Sequence, residues 1–288
     1  MPAGQPFTQL CQALARPRHF GRVDLHLHTT FSDGTYSPAE IVDLACRSGL
    51  SAIAITDHDT LAGIAPTRLL AGTALEVVSG VEITTEFHGR ELHLLGYCFD
   101  ADNSALRLAL AHLQAERTVR FHAMIERLHT LGVHIEETEI AALGDSATLG
   151  RRHLAELLVQ AKKATTVREA FQRYLGDHGR ATVPKTRLPI GEAIALVRGA
   201  NGVASWAHPT YDCNKETLSE LKRLGLGAVE AEYPAFRAGR VKELRQLARE
   251  LGLAITGGSD CHGPGLPHRS VGATSISHEE LQRLREMI

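Results

Sequence analysis

The chain has 288 residues, a formal net charge of −2, 43% hydrophobic residues and 22% charged residues. These values are typical of a soluble globular protein, and they exclude the overall basic field of many nucleic-acid-binding proteins. The five cysteines are odd in number and form no C-x-x-C pair, which favours a reduced, cytoplasmic protein. No apolar run approaches the ~18–20 residues that span a bilayer, and no obligate protein partner is indicated.

Strands and helices alternate along the first hundred residues, after an expected N-terminal extension at 1–21. The pattern predicts strands at 22–28, 51–56 and 75–81, with helices at 37–47 and up to residue 71 between them. A hairpin is expected over residues 84–98. Apolar strands separated by helices indicate a parallel sheet with helical cover.

Residues 101–185 have a different pattern, with helices predicted at 103–131, 151–163 and 167–174. Alternation then resumes with strands at 202–206, 228–232, 253–256 and 271–275, and with helices at 190–198, 215–224, 237–251 and from 278 onwards. We therefore expect an α/β barrel built from residues 22–100 and 186–288, with a mainly helical insertion at 101–185. Chemistry in such barrels gathers at the carboxyl ends of the strands.

Polar clusters follow several of these predicted strands. His26 and His28 alternate along the first strand and therefore face the same way, and Asp33 follows five residues later. His58 stands between two aspartates, and Asp260 lies two residues before a further histidine. Imidazoles and carboxylates from several strand ends indicate a polynuclear metal site and a hydrolase.

Each of these residues also has a simpler interpretation. Asp33 suits a turn, and the aspartates beside His58 suit a helix N-cap. His93 alternates with apolar neighbours and could be structural. Glu82 closes an apolar strand, where a carboxylate needs a charged partner or a metal.

Five motifs in a fixed order resemble those of the PHP (polymerase and histidinol phosphatase) family. They are His26-Leu27-His28 with a downstream aspartate, Thr56-Asp57-His58-Asp59, Gly80-Val81-Glu82, Ala207-His208-Pro209 and Ser259-Asp260-Cys261-His262. The resemblance covers about residues 22–100 and 200–288, and it implies a distorted (β/α)7 barrel. The insertion is similar to that of the nucleoside 3′,5′-bisphosphate phosphatase branch.

The resemblance implies two or three divalent metal ions, with Mn²⁺ expected and Zn²⁺ or Fe²⁺ as alternatives. The implied ligands are His26, His28, Asp33, His58, Glu82, His93, His208, Asp260 and His262. One ion would be held by His26, His28, Glu82 and Asp260, a second by Glu82 and His93, and a third by Asp33, His58 and His262. His208 would complete the second or the third site.

Catalytic roles are expected for Glu82, which would bridge two metals, for Asp260, and for His208 as a candidate general acid. Either Asp57 or Asp59 could orient an imidazole without touching metal. Cys261 is expected to be a spacer that faces away from its two neighbours.

The insertion contains the candidates for substrate binding. Gly150-Arg151-Arg152-His153 opens a predicted helix and resembles a phosphate-binding segment of that branch, with Arg152 where the branch often has proline. Lys185 lies in a second similar segment, Thr182-Val183-Pro184-Lys185. Tyr211 and Phe236 are the only suggestions for a base-binding pair.

The expected activity is removal of the 3′-phosphate from a nucleoside 3′,5′-bisphosphate such as pAp. The same arrangement could accept the 5′ end of short RNA and act as a 5′→3′ exoribonuclease. A histidinol-phosphate-type phosphatase is a third alternative. A non-catalytic metal-binding regulatory module is the alternative from a different class.

Overall fold

The computed structural model describes residues 21–143, 148–210 and 212–288, so that the expected extension before Gly21 and the candidate base-binding Tyr211 lie outside them. The strands are β1 (Arg22–Leu27), β2 (Leu50–Ile55), β3 (Glu76–Phe87), β4 (Arg90–Tyr97), β5 (Leu188–Pro189), β6 (Val203–Trp206), β7 (Ala228–Glu232), β8 (Ala254–Gly257) and β9 (Ile276–Ser277).

The α-helices are α1 (Pro38–Arg47), α2 (Ile64–Ala71), α3 (Ser104–Thr130), α4 (Glu137–Ala141), α5 (Arg151–Gln160), α6 (Val167–Ala170), α7 (Ile190–Gly199), α8 (Lys215–Leu224), α9 (Ala238–Leu251) and α10 (His278–Arg285). A π-helical turn at Phe171–Leu175 follows α6, and a 3₁₀ turn occupies Pro267–Arg269. Helix α1 begins with a capping box, because Ser37 and Glu40 each bind the other's backbone N–H.

The strands form a barrel-like sheet that is nearly closed, in the order β8-β7-β6-β4-β3-β2-β1-β9, with β5 beside β3. Beyond the ends of β1 and β8, the backbone N–H of His28 donates a 3.1 Å hydrogen bond to the carbonyl of Cys261. Seven strands surround the barrel interior, and β5 and β9 are short additions. The predicted α/β barrel is therefore confirmed.

The parallel pairing of β1, β2 and β3 and the predicted hairpin are confirmed, and the hairpin makes the sheet mixed, because β4 is antiparallel to both β3 and β6. Two details of the prediction are wrong. Strand β3 continues to Phe87, so Glu82 lies within the strand and not at its end. The expected strand at 271–275 is a turn, in which Gly272 has a positive φ of 77° and donates its N–H to buried Asp24. The short strand β9 follows this turn.

The helical segment between the two parts of the barrel has a hydrophobic core of its own. Helix α3 connects the two cores: Leu106 and Leu110 pack into the barrel core, whereas Phe121 and Leu128 pack into the second core. The second core also includes residues of α5 and the π-helical turn. None of the helices in the described parts of the chain is both long and apolar enough to cross a membrane.

A pair of glycine substitutions tests the closure of the barrel. A Cβ at Gly258 would lie 2.4 Å from the backbone nitrogen of His26, whereas a Cβ at Gly239 in α9 has no atom within 4 Å. We expect Gly258→Ala to lower the free energy of unfolding by about 3 kcal/mol or more, because β1 must move away. Gly239→Ala should be neutral or stabilising by up to about 1 kcal/mol. Chemical denaturation of both variants measures the difference, and equal stabilities would contradict this account.

Candidate active site

A buried carboxylate lies at the centre of a histidine cluster where the carboxyl ends of the strands meet. One oxygen of Glu82 is 2.7 Å from His93 Nδ1 and 2.9 Å from His208 Nε2. The other oxygen is 3.2 Å from Nε2 of both His26 and His28, and 3.4 Å from His58 Nδ1. Glu82 can occupy this position because β3 runs through the middle of the sheet.

Two further carboxylates extend the cluster toward its rim. Asp260 Oδ1 lies 3.3 Å from His28 Nε2 and 3.4 Å from His262 Nδ1. Asp33 Oδ1 lies 3.3 Å from His262 Nε2 and 3.8 Å from His58 Nε2. The structure therefore brings together all nine residues that the sequence indicated as metal ligands.

The charges of the cluster favour ionised carboxylates. Burial opposes this ionisation, but the surrounding imidazoles outweigh burial and hold the pKa of Asp33, Glu82 and Asp260 well below its usual range. Burial also lowers the pKa of His58 to about 3, despite the carboxylates beside it. At His26 and His28 burial also acts to lower the pKa, but the neighbouring carboxylates outweigh it and raise the pKa, that of His28 to about 10, so metal binding would displace protons from these two imidazoles.

Unpartnered polar atoms show that this cluster fits metal ions. Among the described residues, five buried side-chain nitrogen or oxygen atoms have no hydrogen-bond partner, and four of these belong to His28, Asp33 and His58. Three overlapping groups have potential ligand atoms within 4.8 Å of one another: His28, Asp33, His58 and His262; His26, His28 and Glu82; and His58, Glu82 and His93. His28 and His58 each belong to two of these groups, whereas the sequence prediction assigned each of them to one ion. His208 lies beside Glu82.

Hydrogen bonds from neighbouring residues hold several members of the cluster in place. Asp260 has a positive φ of 50°, which is unfavourable outside glycine. Its second oxygen accepts hydrogen bonds from Tyr233 at 2.8 Å and Arg269 at 2.6 Å. The first oxygen is thereby directed toward the imidazoles. Cys261 packs with Leu27 in an apolar cluster, as expected for a spacer.

The expectation that Asp57 or Asp59 orients an imidazole is wrong. Asp57 accepts hydrogen bonds from the backbone of Thr29 and the hydroxyl of Ser32, and it thereby shapes the loop that leads to the Asp33 ligand position. Asp59 instead accepts from the backbone N–H of Thr84 and from the guanidinium of Arg117.

Two imidazoles, those of His26 and His93, are each held by a carboxylate that the sequence reasoning missed. Glu230 on β7 lies 2.9 Å from His26 Nδ1, and Glu91 on β4 lies 3.2 Å from His93 Nε2. A signal for Glu230 was available, because a carboxylate within an apolar strand such as Ala-Val-Glu-Ala needs a partner. Arg117 gave no such signal, because charged residues are common along its helix.

A basic cavity of about 570 Å³ lies beside the metal-ligand cluster. Its lining includes five cationic side chains, which are Arg120, Arg127, Arg151, Lys185 and Arg187. Glu91 connects cavity and cluster, because one of its oxygens lies 2.7 Å from Lys185 Nζ and 3.2 Å from His93 Nε2. Of the sequence candidates, Arg151 and Lys185 line this cavity, whereas Arg152 pairs with Glu156 at 3.1 Å on its own helix.

A family model described as the PHP domain matches residues 24–179, which is more than half of the chain. The chain belongs to the PHP family. It is 33% identical to a 5′-3′ exoribonuclease of Haemophilus influenzae over 84% of this chain and 90% of that protein. It is 27% identical to a 3′,5′-nucleoside bisphosphate phosphatase of Chromobacterium violaceum over 88% of this chain and 91% of the relative.

A crystal structure of a predicted metal-dependent phosphoesterase from Bifidobacterium adolescentis has the same fold, with a TM-score of 0.85 and 30% identity. The similarity covers 92% of this PHP chain and 96% of that protein. Family membership and these relatives identify the chain as a hydrolase that acts on phosphoesters and depends on metal. The alternative of a non-catalytic module is not supported.

Metal binding should stabilise the folded chain. Because the ligands come together only on folding, Mn²⁺ or Zn²⁺ at about 100 times its dissociation constant should add about 2.7 kcal/mol per independent site. His28→Ala should lose most of this stabilisation. His112→Ala, an exposed histidine of α3, is the matched control and should behave like the wild type. Thermal unfolding with and without metal measures both effects, and equal shifts in all three proteins would be evidence against a metal site at His28.

The ion pair between Arg117 and Asp59 should stabilise the docking of α3 onto the barrel. Both side chains are almost buried and lie 2.6 Å apart, whereas Arg107 pairs with Asp102 on the exposed face of the same helix. Arg117→Ala should lower the free energy of unfolding by about 3–5 kcal/mol, because it leaves a buried carboxylate unpaired. Arg107→Ala should change it by about 0–1 kcal/mol. Urea denaturation distinguishes the two, and a small effect at both positions would refute the buried pair.

Proposed function

We propose that the chain removes the 3′-phosphate from nucleoside 3′,5′-bisphosphates such as pAp. The 3′-phosphate would lie at the metal-ligand cluster, and the 5′-phosphate would lie in the basic cavity. The observation that carries this proposal is the position of Glu91, whose single carboxylate contacts both His93 and Lys185. The two regions are therefore close enough for one small molecule with two phosphates.

The proposed metal ligands are those that the resemblance implied: His26, His28, Asp33, His58, Glu82, His93, His208, Asp260 and His262. Mn²⁺ is the proposed ion, because a mixed set of imidazoles and carboxylates suits it as well as Zn²⁺ or Fe²⁺. When bound, such ions polarise phosphoryl oxygens and acidify a bound water.

The chain itself would position the substrate and supply protons. Glu82 and Asp260 hold the imidazoles of the cluster in place, and His208, half-buried at its rim, would donate a proton to the leaving 3′-oxygen. Arg151 and Lys185 would bind the 5′-phosphate. Arg152, the third candidate, pairs with Glu156 on its own helix, and we propose no contact between it and the 5′-phosphate.

In this arrangement residues 101–185 act as a substrate cap on the barrel formed by residues 22–100 and 186–288. The odd cysteine count favours a reducing compartment, and we propose that the protein acts in the cytoplasm.

A second candidate activity is 5′→3′ exoribonuclease action on short RNA with a 5′-phosphate. The higher identity to the Haemophilus influenzae exoribonuclease favours it. The cationic side chains of the cavity also outnumber its two carboxylates, Glu91 and Asp177, by three. Such an excess suits more than one phosphate. Comparison of kcat/KM for pAp and for a 5′-phosphorylated trinucleotide decides between the two candidates.

Phosphate release from pAp with Mn²⁺ tests the proposed reaction. We expect rapid release by the wild type, little release from 5′-AMP, and a loss of at least about 100-fold in His28→Ala, because a metal ligand is removed. Release from 5′-AMP as fast as from pAp, or none from pAp, would overturn the substrate assignment.

Substitution of Lys185 tests the phosphate seat separately. Lys185→Ala should raise KM for pAp by about 10–100-fold, since a charge-assisted hydrogen bond contributes about 1.5–3 kcal/mol, while kcat should change little. Lys215→Ala is the control, because Lys215 is an exposed lysine that pairs with Glu250 and does not line the basic cavity. An unchanged KM in Lys185→Ala would exclude this residue from substrate binding.

The charge of Lys185 should also impose a pH dependence. Burial and the nearby charge of Arg117 lower the pKa of Lys185 to about 8, although Glu91 opposes both. The side chain is cationic below this pH and becomes neutral above it, so kcat/KM for pAp should fall above about pH 8. Lys185→Arg should shift this fall to higher pH, because a guanidinium stays charged. Identical pH profiles for the two proteins would show that Lys185 does not cause the fall.

A further inference from the structure

We propose that Glu230 is a positioning residue that sets the tautomer of His26 and the backbone of His208, so that both imidazoles face the metal-ligand cluster. The inference rests on the metal-binding role proposed above for these histidines. It concerns a residue outside that ligand set. The argument uses the two oxygens of Glu230, which have different partners.

The first oxygen determines where the proton of His26 lies. Glu230 is fully buried on β7, and its Oε1 is 2.9 Å from His26 Nδ1. An ionised carboxylate only accepts hydrogen bonds, so Nδ1 must carry the hydrogen. A metal binds only a ring nitrogen that carries no hydrogen, so in a metal-bound ring the lone pair would be on Nε2, which faces Glu82 at 3.2 Å. Glu230 therefore directs the ligating nitrogen of His26 into the cluster.

The second oxygen holds the backbone beyond β6. Oε2 of Glu230 accepts a 2.5 Å hydrogen bond from the backbone N–H of His208. His208 has a positive φ of 30° and is followed by proline, so its conformation is unfavourable without external support. With the backbone held in this way, His208 Nε2 lies 2.9 Å from Glu82, and its ring stacks 5.9 Å from that of His26.

Only a glutamate meets both requirements at this position. Glutamine has one acceptor oxygen, and its NH₂ group would face one of the two N–H donors. Aspartate has the two oxygens but is shorter by one methylene group. Glu232 provides an internal comparison: it lies two residues later on β7, beyond an irregularity in the pairing of β7 with β8, and forms an ion pair with Arg245 at 2.7 Å outside the cluster.

A purely structural role for Glu230 would affect stability and leave metal binding unchanged. The test is therefore a competition titration of the purified full-length chain, in which Mn²⁺, Zn²⁺ or Co²⁺ is divided between protein and a chromophoric chelator. Proteins that carry Glu230→Gln, Glu230→Asp and the control Glu232→Gln are compared with the wild type. Thermal unfolding without metal is recorded for each protein to separate stability from affinity.

We expect Glu230→Gln to weaken binding of at least one metal ion by about 10–100-fold, as is typical when the hydrogen-bond partner of a ligating histidine is lost. The visible spectrum of the Co²⁺ form should change in the same variant. Glu232→Gln should retain wild-type affinity and spectrum. Glu230→Asp should also bind metal more weakly, and it provides the measurement if Glu230→Gln does not fold.

The possible failures are distinguishable. If the wild type binds metal and both Glu230 variants bind it equally well, the inference about Glu230 is overturned, whatever their stability, and the metal centre stands. If the wild type binds no metal, the proposed metal centre is overturned together with this inference. Neither outcome depends on which phosphoester is the substrate.

Discussion

The structure depends on one buried carboxylate, that of Glu82, around which five imidazoles converge. Its two oxygens lie within 3.4 Å of nitrogens contributed by β1 and β4 and by the segments that follow β1, β2 and β6. A charge at this depth is tolerated only with partners on several sides. The nearly closed barrel satisfies this condition, because it brings the carboxyl ends of distant strands to one place.

A layer of hydrogen bonds around the cluster makes this arrangement rigid. Asp24 accepts from the backbone of Ser259 and Gly272 and so fixes the segment that contains Asp260. Glu91 connects the cluster to the basic cavity through Lys185. Helix α3 packs into both hydrophobic cores, and the buried ion pair between Arg117 and Asp59 also joins the helical segment to the barrel. Both parts contribute residues to the lining of the cavity. The region proposed to select the substrate is thus coupled to the region proposed to carry out the chemistry.

Much of this could be predicted from local patterns. The alternation of His26 and His28, the capping box of α1 and the hairpin between β3 and β4 all follow from the periodicity or chemistry of adjacent residues. The boundaries of α8 and β7 were predicted without error, because apolar periodicity and flanking caps are clear there. The turn after Val271 was mistaken for a strand, because an apolar run alone does not reveal that its glycine N–H binds a distant aspartate.

The sequence by itself determined the barrel class and the presence of cationic residues in the helical segment, and its resemblance to the PHP family implied the nine residues of the cluster. Only the tertiary structure decided that Arg151 and Lys185 share one cavity, while Arg152 pairs on its own helix. It also revealed the partners of Glu230 and Arg117, which lie far away in sequence. The physical reason is that strand and helix periods specify which face a side chain occupies, whereas its partners depend on how distant elements pack.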